Sequence, residues 1–507
     1  MNFINTLQSH FGLKEFRRGQ QQIIQSVLDG KDVLAVLPTG GGKSLCYQLP
    51  AVLKNDLVIV ISPLIALMKD QVAALKKRGI AAGALHSGQS VAEKRDVFQR
   101  LEKDGPFLLY LSPERTQKDT FKTWLTHRKL ALIAIDEAHC VSQWGHDFRE
   151  EYSQLKTLKT LKPDVPMLAL TASATPLVLN DIARNLGLKD PAKHIHGFYR
   201  PNLYYQVQSC ADDYAKLEWA RMTVRQNPKG RILIYCGTRK LTEYVAQMLG
   251  SEFSGVAHYH AGLGSDARTQ IQNAYAANES RILVATNAFG MGIDHPDVRA
   301  VIHFNMPANI DSLYQEMGRA GRDGQPSTCL LLYADKDKSL QVYFIKSAKA
   351  PEDIIRSRWN TLRALLDYVE SSECRHAEIL TYYKDAERIK RCGHCDVCDP
   401  KSARKIDKPD FVQPLAVAAK TKAKLVKNKR QDTPLDEIEE MRFQILRDWR
   451  KQKAEELDVP AFVVFSDRTL KEIARKNPSS TSELEQIHGF GEVKLERFGR
   501  EIVSALH

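Results

Sequence analysis

The chain has 507 residues, is 43% hydrophobic and 26% charged, and carries a net charge of +12. That length is too great for one core and calls for about three to four domains. No window reaches the roughly 18 unbroken apolar residues of a membrane span, and "MNFINTLQSHFGLKEF" lacks a basic-then-apolar leader pattern. A membrane protein and a secreted one are therefore set aside, and a cytosolic, reducing setting is expected.

Residues 1–205 alternate short apolar runs with amphipathic stretches. "DVLAVLP", "DLVIVISP", "PFLLYLSP", "LALIAIDEAH" and "VPMLALTAS" read as buried strands ending at turn or polar residues. Such runs, separated by helical lengths, predict a parallel α/β sheet with crossover helices. The pattern restarts over 206–340 with "GRILIYC", "GVAHYHAG", "RILVATNAF", "VRAVIHFN" and "TCLLLYAD", so a second α/β domain is expected there. "YRPNLYYQV" (199–207) sits between the two as a linker candidate. From about 341 the strands stop, and residues 341–400 read as charged helices leading into a cysteine cluster. Residues 401–432 show little amphipathic period and read as a basic linker, with ten Lys/Arg against two Asp in 401–430. Residues 433–507 regain helical patterning and predict a small all-α domain.

The strongest local signal is "VLAVLPTGGGKSLCYQLP". An apolar strand runs into Thr39, Gly40, Gly41, Gly42, Lys43 and Ser44, and a helix follows. Glycines let backbone N–H groups converge on phosphate oxygens, and the helix N-terminus adds partial positive charge. Lys43 would reach the β- and γ-phosphates of ATP, and Ser44 would ligate Mg²⁺. The first glycine of the usual phosphate-loop pattern falls at Leu37. "LALIAIDEAHC" delivers Asp136 and Glu137 at the end of a strand, where α/β sheets bind ligands. Asp136 would hold Mg²⁺ through water, Glu137 would orient or deprotonate the attacking water, and His139 could relay nucleotide state. In the second domain, Arg319 and Arg322 lie three apart in "LYQEMGRAGRDG". They could stabilise charge on a transferring γ-phosphate if both domains clasp one nucleotide.

Taken together, these residues resemble superfamily 2 helicases and, within them, the RecQ family, over about residues 8–400. "FGLKEFRRGQ" resembles the family's adenine-recognition segment, which implies base contacts by Arg17 and Gln20. "PTGGGKS" and "DEAH" match the nucleotide motifs, and the family tolerates a residue other than glycine before the former. "CVSQWGHDFR" (140–149) resembles the aromatic-rich loop, "TASAT" (171–175) the segment coupling the domains, and "ATNAFGMGIDHPDVR" (285–299) a late motif. Trp144 and Phe148, beside His146 and Arg149, offer stacking faces with cationic neighbours, suited to any base sequence. The resemblance implies two RecA-like domains and an ATP- and Mg²⁺-dependent helicase. It would act 3′ to 5′ on single-stranded DNA and on tailed or forked duplex, in DNA repair, recombination and the SOS response. It also implies a cytoplasmic, nucleoid-associated monomer that meets single-stranded-DNA-binding and recombination proteins.

Cys392, Cys395 and Cys398 follow a C-x₂-C-x₂-C spacing, and a tetrahedral metal needs a fourth ligand. Cys374 is the best candidate, with His376 and His394 as chemical alternatives; thiolate count alone also allows an iron–sulfur cluster. The family places a cysteine at the Cys374 position and implies structural Zn²⁺.

Residues 433–507 resemble the HRDC domain through "VPAFVVFSDRTLKEIA" and "IHGFGEVKLERFG". Gly489 and Gly491 would free backbone N–H groups near DNA phosphates, with Lys494 and Arg497 pairing to them. The chain departs from the family in one respect. Only about 35 residues separate Cys398 from the next helical unit, where roughly 100 would be expected for a winged-helix domain and its connections. The strand-parting wedge of that domain is therefore expected to be missing. The alternative reading is a DNA-stimulated ATPase or translocase with little strand separation.

Overall fold

The structure is a computed structural model, and it describes residues 3–102, 105–145, 148–290, 295–385, 387–409, 435–457, 459–485, 487, 490 and 492–506. Most of the basic stretch 401–432 lies outside the described residues, as do His146, Gly489 and Gly491.

Seven strands form the first sheet: β1 Val33–Val36, β2 Leu57–Ile61, β3 Ala81–Leu85, β4 Phe107–Leu111, β5 Leu132–Ile135, β6 Met167–Thr171 and β7 Ala192–Ile195. Their order is β3-β4-β2-β5-β6-β1-β7, and every pairing is parallel. The central strands are buried along their whole length. This is why they read as continuous Val, Ile and Leu runs: helices cover both faces of a parallel sheet, so neither face tolerates a polar residue. Register sets the site. Val36 of β1 pairs with Thr171 of β6, and Ile135 of β5 pairs with Ala169. The loop after β1, the end of β6 and the turn after β5 therefore emerge along one carboxyl edge.

The second sheet holds β8 Leu203–Ser209, β9 Arg231–Tyr235, β10 Val256–Tyr259, β11 Ile282–Ala285, β12 Val298–His303 and β13 Ser327–Tyr333, in the order β10-β11-β9-β12-β13-β8. The candidate linker 199–207 is corrected here. Its second half is edge strand β8 of the second sheet, which starts at Leu203. An exposed edge strand invites unwanted pairing, and here the cysteine segment covers it. Asp396 N–H donates to Tyr205 O at 2.9 Å, and Val207 N–H donates to Asp396 carboxylate at 2.9 Å. The Gln206 side chain exchanges two hydrogen bonds with the Ile406 backbone.

The chain divides into two compact units, 1–208 with 220–332 and 364–407, and 209–219 with 333–363 and 408–507. The expected module 341–400 spans both units. Its cysteine half belongs with the two sheets, held by the contacts to β8, and its first half belongs with the C-terminal helices. In the second unit a buried Lys216–Asp337 ion pair, 2.5 Å long, ties residues 209–219 to the helix Asp335–Ser347. The C-terminal helices pack around Phe443, Leu446, Phe465, Ile473, Phe498 and Ile502. Asp436 starts the first of them as an N-cap in a capping box with Glu439. Among the described residues, no helix is long and apolar enough to cross a membrane.

Candidate active site

The loop after β1 wraps into the helix Leu45–Lys54, with Gly40 and Gly42 at φ +77° and +73°. These left-handed turns need glycine. Four successive carbonyls of this loop accept hydrogen bonds from side chains outside it. Arg200 Nη1 donates to Thr39 O at 3.0 Å, Arg17 Nη1 donates to Gly40 O, and Gln20 Nε2 donates to Gly41 O and Gly42 O at 3.2 and 3.0 Å. With these carbonyls engaged, the loop's N–H groups can face an anion, apart from that of Gly41, which donates to Pro38 O at 2.8 Å. The structure thus brings Arg17 and Gln20, expected as base contacts, onto the phosphate-loop backbone. Gln20 is buried, and its Oε1 accepts from Arg17 N–H at 2.8 Å.

Asp136 and Glu137 follow β5. Glu137 adopts a left-handed conformation, φ +48°, which costs a non-glycine residue about 1–2 kcal/mol. Such strain at the end of a buried strand is a feature of functional sites. Burial, then the neighbouring Glu137 charge, pushes the Asp136 carboxyl up to about 7, opposed by Lys43 and by the Glu137 N–H. A buried carboxylate beside another calls for a cation, so the donor set of Ser44 and Asp136 fits Mg²⁺. Tyr152 Oη holds the Asp136 carbonyl at 3.2 Å, a contact the sequence motifs do not reveal.

Lys43, Ser44, Asp136, Glu137, Arg319 and Arg322 all line one cavity of about 400 Å³. The second domain therefore faces the phosphate loop. A Cβ on Gly40 would lie 3.3 Å from Arg322 Cγ, and one on Gly318 would lie 2.9 Å from Thr39 Cβ. Arg319 is buried, and its Nε has no hydrogen-bond acceptor among the described residues. Such a cavity can hold a triphosphate between a lysine, a carboxylate pair and two guanidinium groups.

His139 is buried, with Nδ1 3.0 Å from Thr171 Oγ1 and 3.4 Å from Glu137 Oε2. The aromatic-rich loop begins at the next residue, Cys140. Its Ser142 Oγ donates to Asp181 at 2.7 Å and accepts from Trp144 N–H at 3.2 Å. Asp181 sits on the helix Pro176–Leu186 that follows "TASAT". Phe148 is exposed and Trp144 half-buried, while Arg149 N–H closes the loop onto Cys140 O at 3.0 Å.

The sulfurs of Cys374, Cys392, Cys395 and Cys398 lie within 4.8 Å of one another. Tetrahedral thiolate ligation of Zn²⁺ fits this spacing. Backbone N–H groups of Cys392 and His394 point at Cys374 Sγ and Cys392 Sγ, at 3.2 and 3.3 Å, as thiolates require. The competing histidines gather with Cys392 in a second group whose ligand atoms lie within 4.8 Å of one another, but three of their four ring nitrogens already face other partners. His394 sits 3.2 Å from Leu203 O through Nδ1 and 2.8 Å from Tyr199 Oη through Nε2. His376 Nε2 lies 3.1 Å from Leu203 O, and its ring stacks on Tyr205 at 4.1 Å.

Lys494 and Arg497 line a different cavity, in the second unit. Lys494 lies 3.7 Å from Asp335 and 4.9 Å above the Phe465 ring, and Arg497 lies 5.2 Å above Phe498.

Four family models match the chain: DEAD/DEAH box helicase over 17–182, helicase conserved C-terminal domain over 215–324, RecQ zinc-binding over 335–399 and HRDC domain over 439–506. The ATP-dependent DNA helicase RecQ of Haemophilus influenzae is 34% identical, over 99% of this chain and 95% of that protein. The probable ATP-dependent DNA helicase RecS of Bacillus subtilis is 42% identical over 75% of each. Among solved structures, the Mycobacterium smegmatis helicase Lhr bound to ssDNA and AMP-PNP shares the fold, with TM-score 0.56 at 15% identity over 95% of this chain and 74% of that one. With a near-full-length relative at that identity and all four domain models in order, this chain belongs to the RecQ family of ATP-dependent DNA helicases.

Proposed function

We propose that the chain moves 3′ to 5′ on single-stranded DNA at the expense of ATP, separates tailed or forked duplex, and serves DNA repair and recombination. The observation that carries this reading is the single cavity that gathers Lys43, Asp136 and Glu137 from one domain and Arg319 and Arg322 from the other. A site split between two domains ties hydrolysis to their opening and closing, and that movement can advance a strand. In this cycle Lys43 holds the β- and γ-phosphates, Glu137 takes a proton from the attacking water, and the two arginines balance charge on the transferring group. Mg²⁺ on Ser44 and Asp136 would neutralise charge between the phosphates. Zn²⁺ on the four cysteines would have a structural role, since protein fills every position. Trp144, Phe148 and Arg149 meet the single strand, and His139 passes the contact to the nucleotide side.

A second reading is a translocase with little strand separation. The match to the Haemophilus protein runs over 596 aligned positions, more than the 507 residues here, which supports the view that this chain lacks a segment that relative has. We take that segment to be the winged helix. The basic stretch 401–430 would then hold duplex phosphates in its place, without reading sequence. A cytoplasmic, nucleoid-associated monomer that meets single-stranded-DNA-binding proteins completes the reading.

Strand separation on a duplex with a 3′ tail tests both readings, with a 5′-tailed duplex and Lys43→Ala as controls. Unwinding of the 3′-tailed substrate alone supports the helicase. DNA-stimulated hydrolysis without separation supports the translocase, and no hydrolysis by the wild-type protein defeats both.

A further inference from the structure

Arg200 belongs to none of the motifs singled out in the sequence, yet it touches two of the segments that carry the site. It lies in the connection between the sheets, after β7 and before β8. Its side chain is buried, and four carbonyls surround it. Nη1 donates to Thr39 O at 3.0 Å and lies 3.4 Å from Gly318 O; Nη2 donates to Ala320 O at 3.0 Å and Gly321 O at 3.3 Å. Thr39 opens the phosphate loop of the first domain. Gly318, Ala320 and Gly321 form the backbone that carries Arg319 and Arg322 in the second. A planar guanidinium with donors in a fixed fork cannot keep both sets of bonds if the two loops slide apart. The neighbouring Asn202 also grips the second loop, donating to Gly321 O at 2.8 Å and Gln325 O at 3.1 Å, and both of these bonds stay within that loop.

We infer that Arg200 is a positioning residue that locks the phosphate loop and the arginine-bearing loop into one geometry when the cleft is closed. It touches no reacting atom. It sets where Arg319 and Arg322 stand relative to the phosphates, and it fixes the first of the four carbonyls that orient the loop's N–H groups. Opening the cleft breaks either the Thr39 bond or the bonds to Gly318, Ala320 and Gly321, so this side chain reports domain closure directly. The consequence for catalysis rests on the function proposed above, whereas the locking itself does not.

The test is amide hydrogen exchange on the full chain, wild type against Arg200→Lys and Asn202→Ala, joined to steady-state ATP hydrolysis with single-stranded DNA. A lysine keeps the charge but cannot span both loops. Arg200→Lys is expected to speed exchange about tenfold in both 38–44 and 318–324, leaving β9 and β11 unchanged. Asn202→Ala should loosen only 318–325. For hydrolysis, Arg200→Lys should lower kcat about tenfold, with KM for ATP moving less than about threefold. Unchanged exchange at 38–44, or loosening that spreads through the second sheet, would overturn the inference, the latter because it marks a general packing role. Normal kcat in a variant whose loops have loosened would also overturn it. If the loops respond as expected but the wild-type protein hydrolyses no ATP, the lock stands and the proposed function fails.

Discussion

His139 Nδ1 lies 3.0 Å from Thr171 Oγ1, which joins the turn after β5 to the end of β6 across the carboxyl edge of the sheet. The same hydroxyl donates to Ser173 O at 3.1 Å and accepts from Ser173 N–H at 3.3 Å. One buried oxygen thus links the "DEAH" turn to the "TASAT" segment. Thr171→Val keeps the shape and removes this junction. Leaving buried polar partners unsatisfied costs about 1–3 kcal/mol, so the denaturation midpoint should fall accordingly. The sharper expectation is kinetic: DNA stimulation of hydrolysis should drop while unstimulated hydrolysis changes little. Equal loss of both rates would mean that the junction only stabilises the fold.

Ser142 and Asp181 form the second link. The carboxylate of Asp181 accepts from Ser142 Oγ at 2.7 Å and from Asn185 Nδ2 at 3.1 Å, and it pairs with Arg184. It therefore pins the start of the aromatic-rich loop to the helix that follows "TASAT". Ser142→Ala removes one hydrogen bond to a charged group, worth about 1.5–3 kcal/mol, and frees Trp144 N–H from its acceptor. Single-stranded DNA affinity should weaken severalfold in a fluorescence titration, with nucleotide affinity unchanged. Unaltered DNA affinity would separate this anchor from the binding face.

Much of this arrangement is legible in the sequence, and what is not has a physical cause. The buried central strands announce themselves because both faces are apolar. The three strands that the sequence pattern leaves out, β3, β7 and β8, all lie at sheet edges. "AAGAL" is too small to read as a core run, "AKHI" alternates half-buried with exposed residues, and β8 follows an Arg-Pro-Asn turn that reads as linker. The site divides in the same way. Lys43, Asp136 and Arg319 sit in contiguous motifs whose chemistry shows in their spacing. Arg200 and Asp181 act on partners 161 and 39 positions away, and no local pattern marks them. The histidine alternatives to Cys374 needed coordinates, which gather the four sulfurs into one group and place His376 and His394 with Cys392 alone, three of their four ring nitrogens facing other partners.

That last point can be tested by metal content. Cys374→Ser should lose bound zinc, whereas His394→Ala should retain it. Metal binding at such a site is folding energy, so Cys374→Ser or treatment of the wild type with a strong chelator should also lower the melting temperature. A zinc-free but equally stable Cys374→Ser protein would remove the structural role from the cluster.

Glu378, one turn after Cys374, introduces a pH dependence. Burial pushes its carboxyl up to about 7, opposed by Ser371 and Arg375, and Oε2 is buried with no hydrogen-bond partner among the described residues. An acid that holds its proton more tightly in the folded state favours folding at low pH. That contribution is complete below about 4.5 and is lost as pH rises to about 7 and beyond. Glu378→Gln mimics the protonated form at every pH. It should be more stable than the wild type at pH 8 by about 1–3 kcal/mol, and nearly equal at about pH 4, below the unfolded-state value, in urea titrations at both values. A pH-independent difference would place the effect on packing rather than on ionisation.

Gly318 carries the last expectation. A Cβ there would meet Thr39 Cβ at 2.9 Å and Tyr314 O at 3.1 Å, although Gly318, the C-cap of the helix Ile310–Met317, has an ordinary right-handed φ of −63°. The position needs glycine because the second domain's loop presses against the phosphate loop, not because of its dihedral angles. Gly318→Ala should therefore force the two loops apart. Moving Arg319 and Arg322 by even an ångström can cost about 100-fold in rate. The variant should accordingly bind nucleotide but hydrolyse it slowly, as read from kcat against the dissociation constant of an ATP analogue. Wild-type turnover with this methyl in place would show that hydrolysis does not need the loops to come so close.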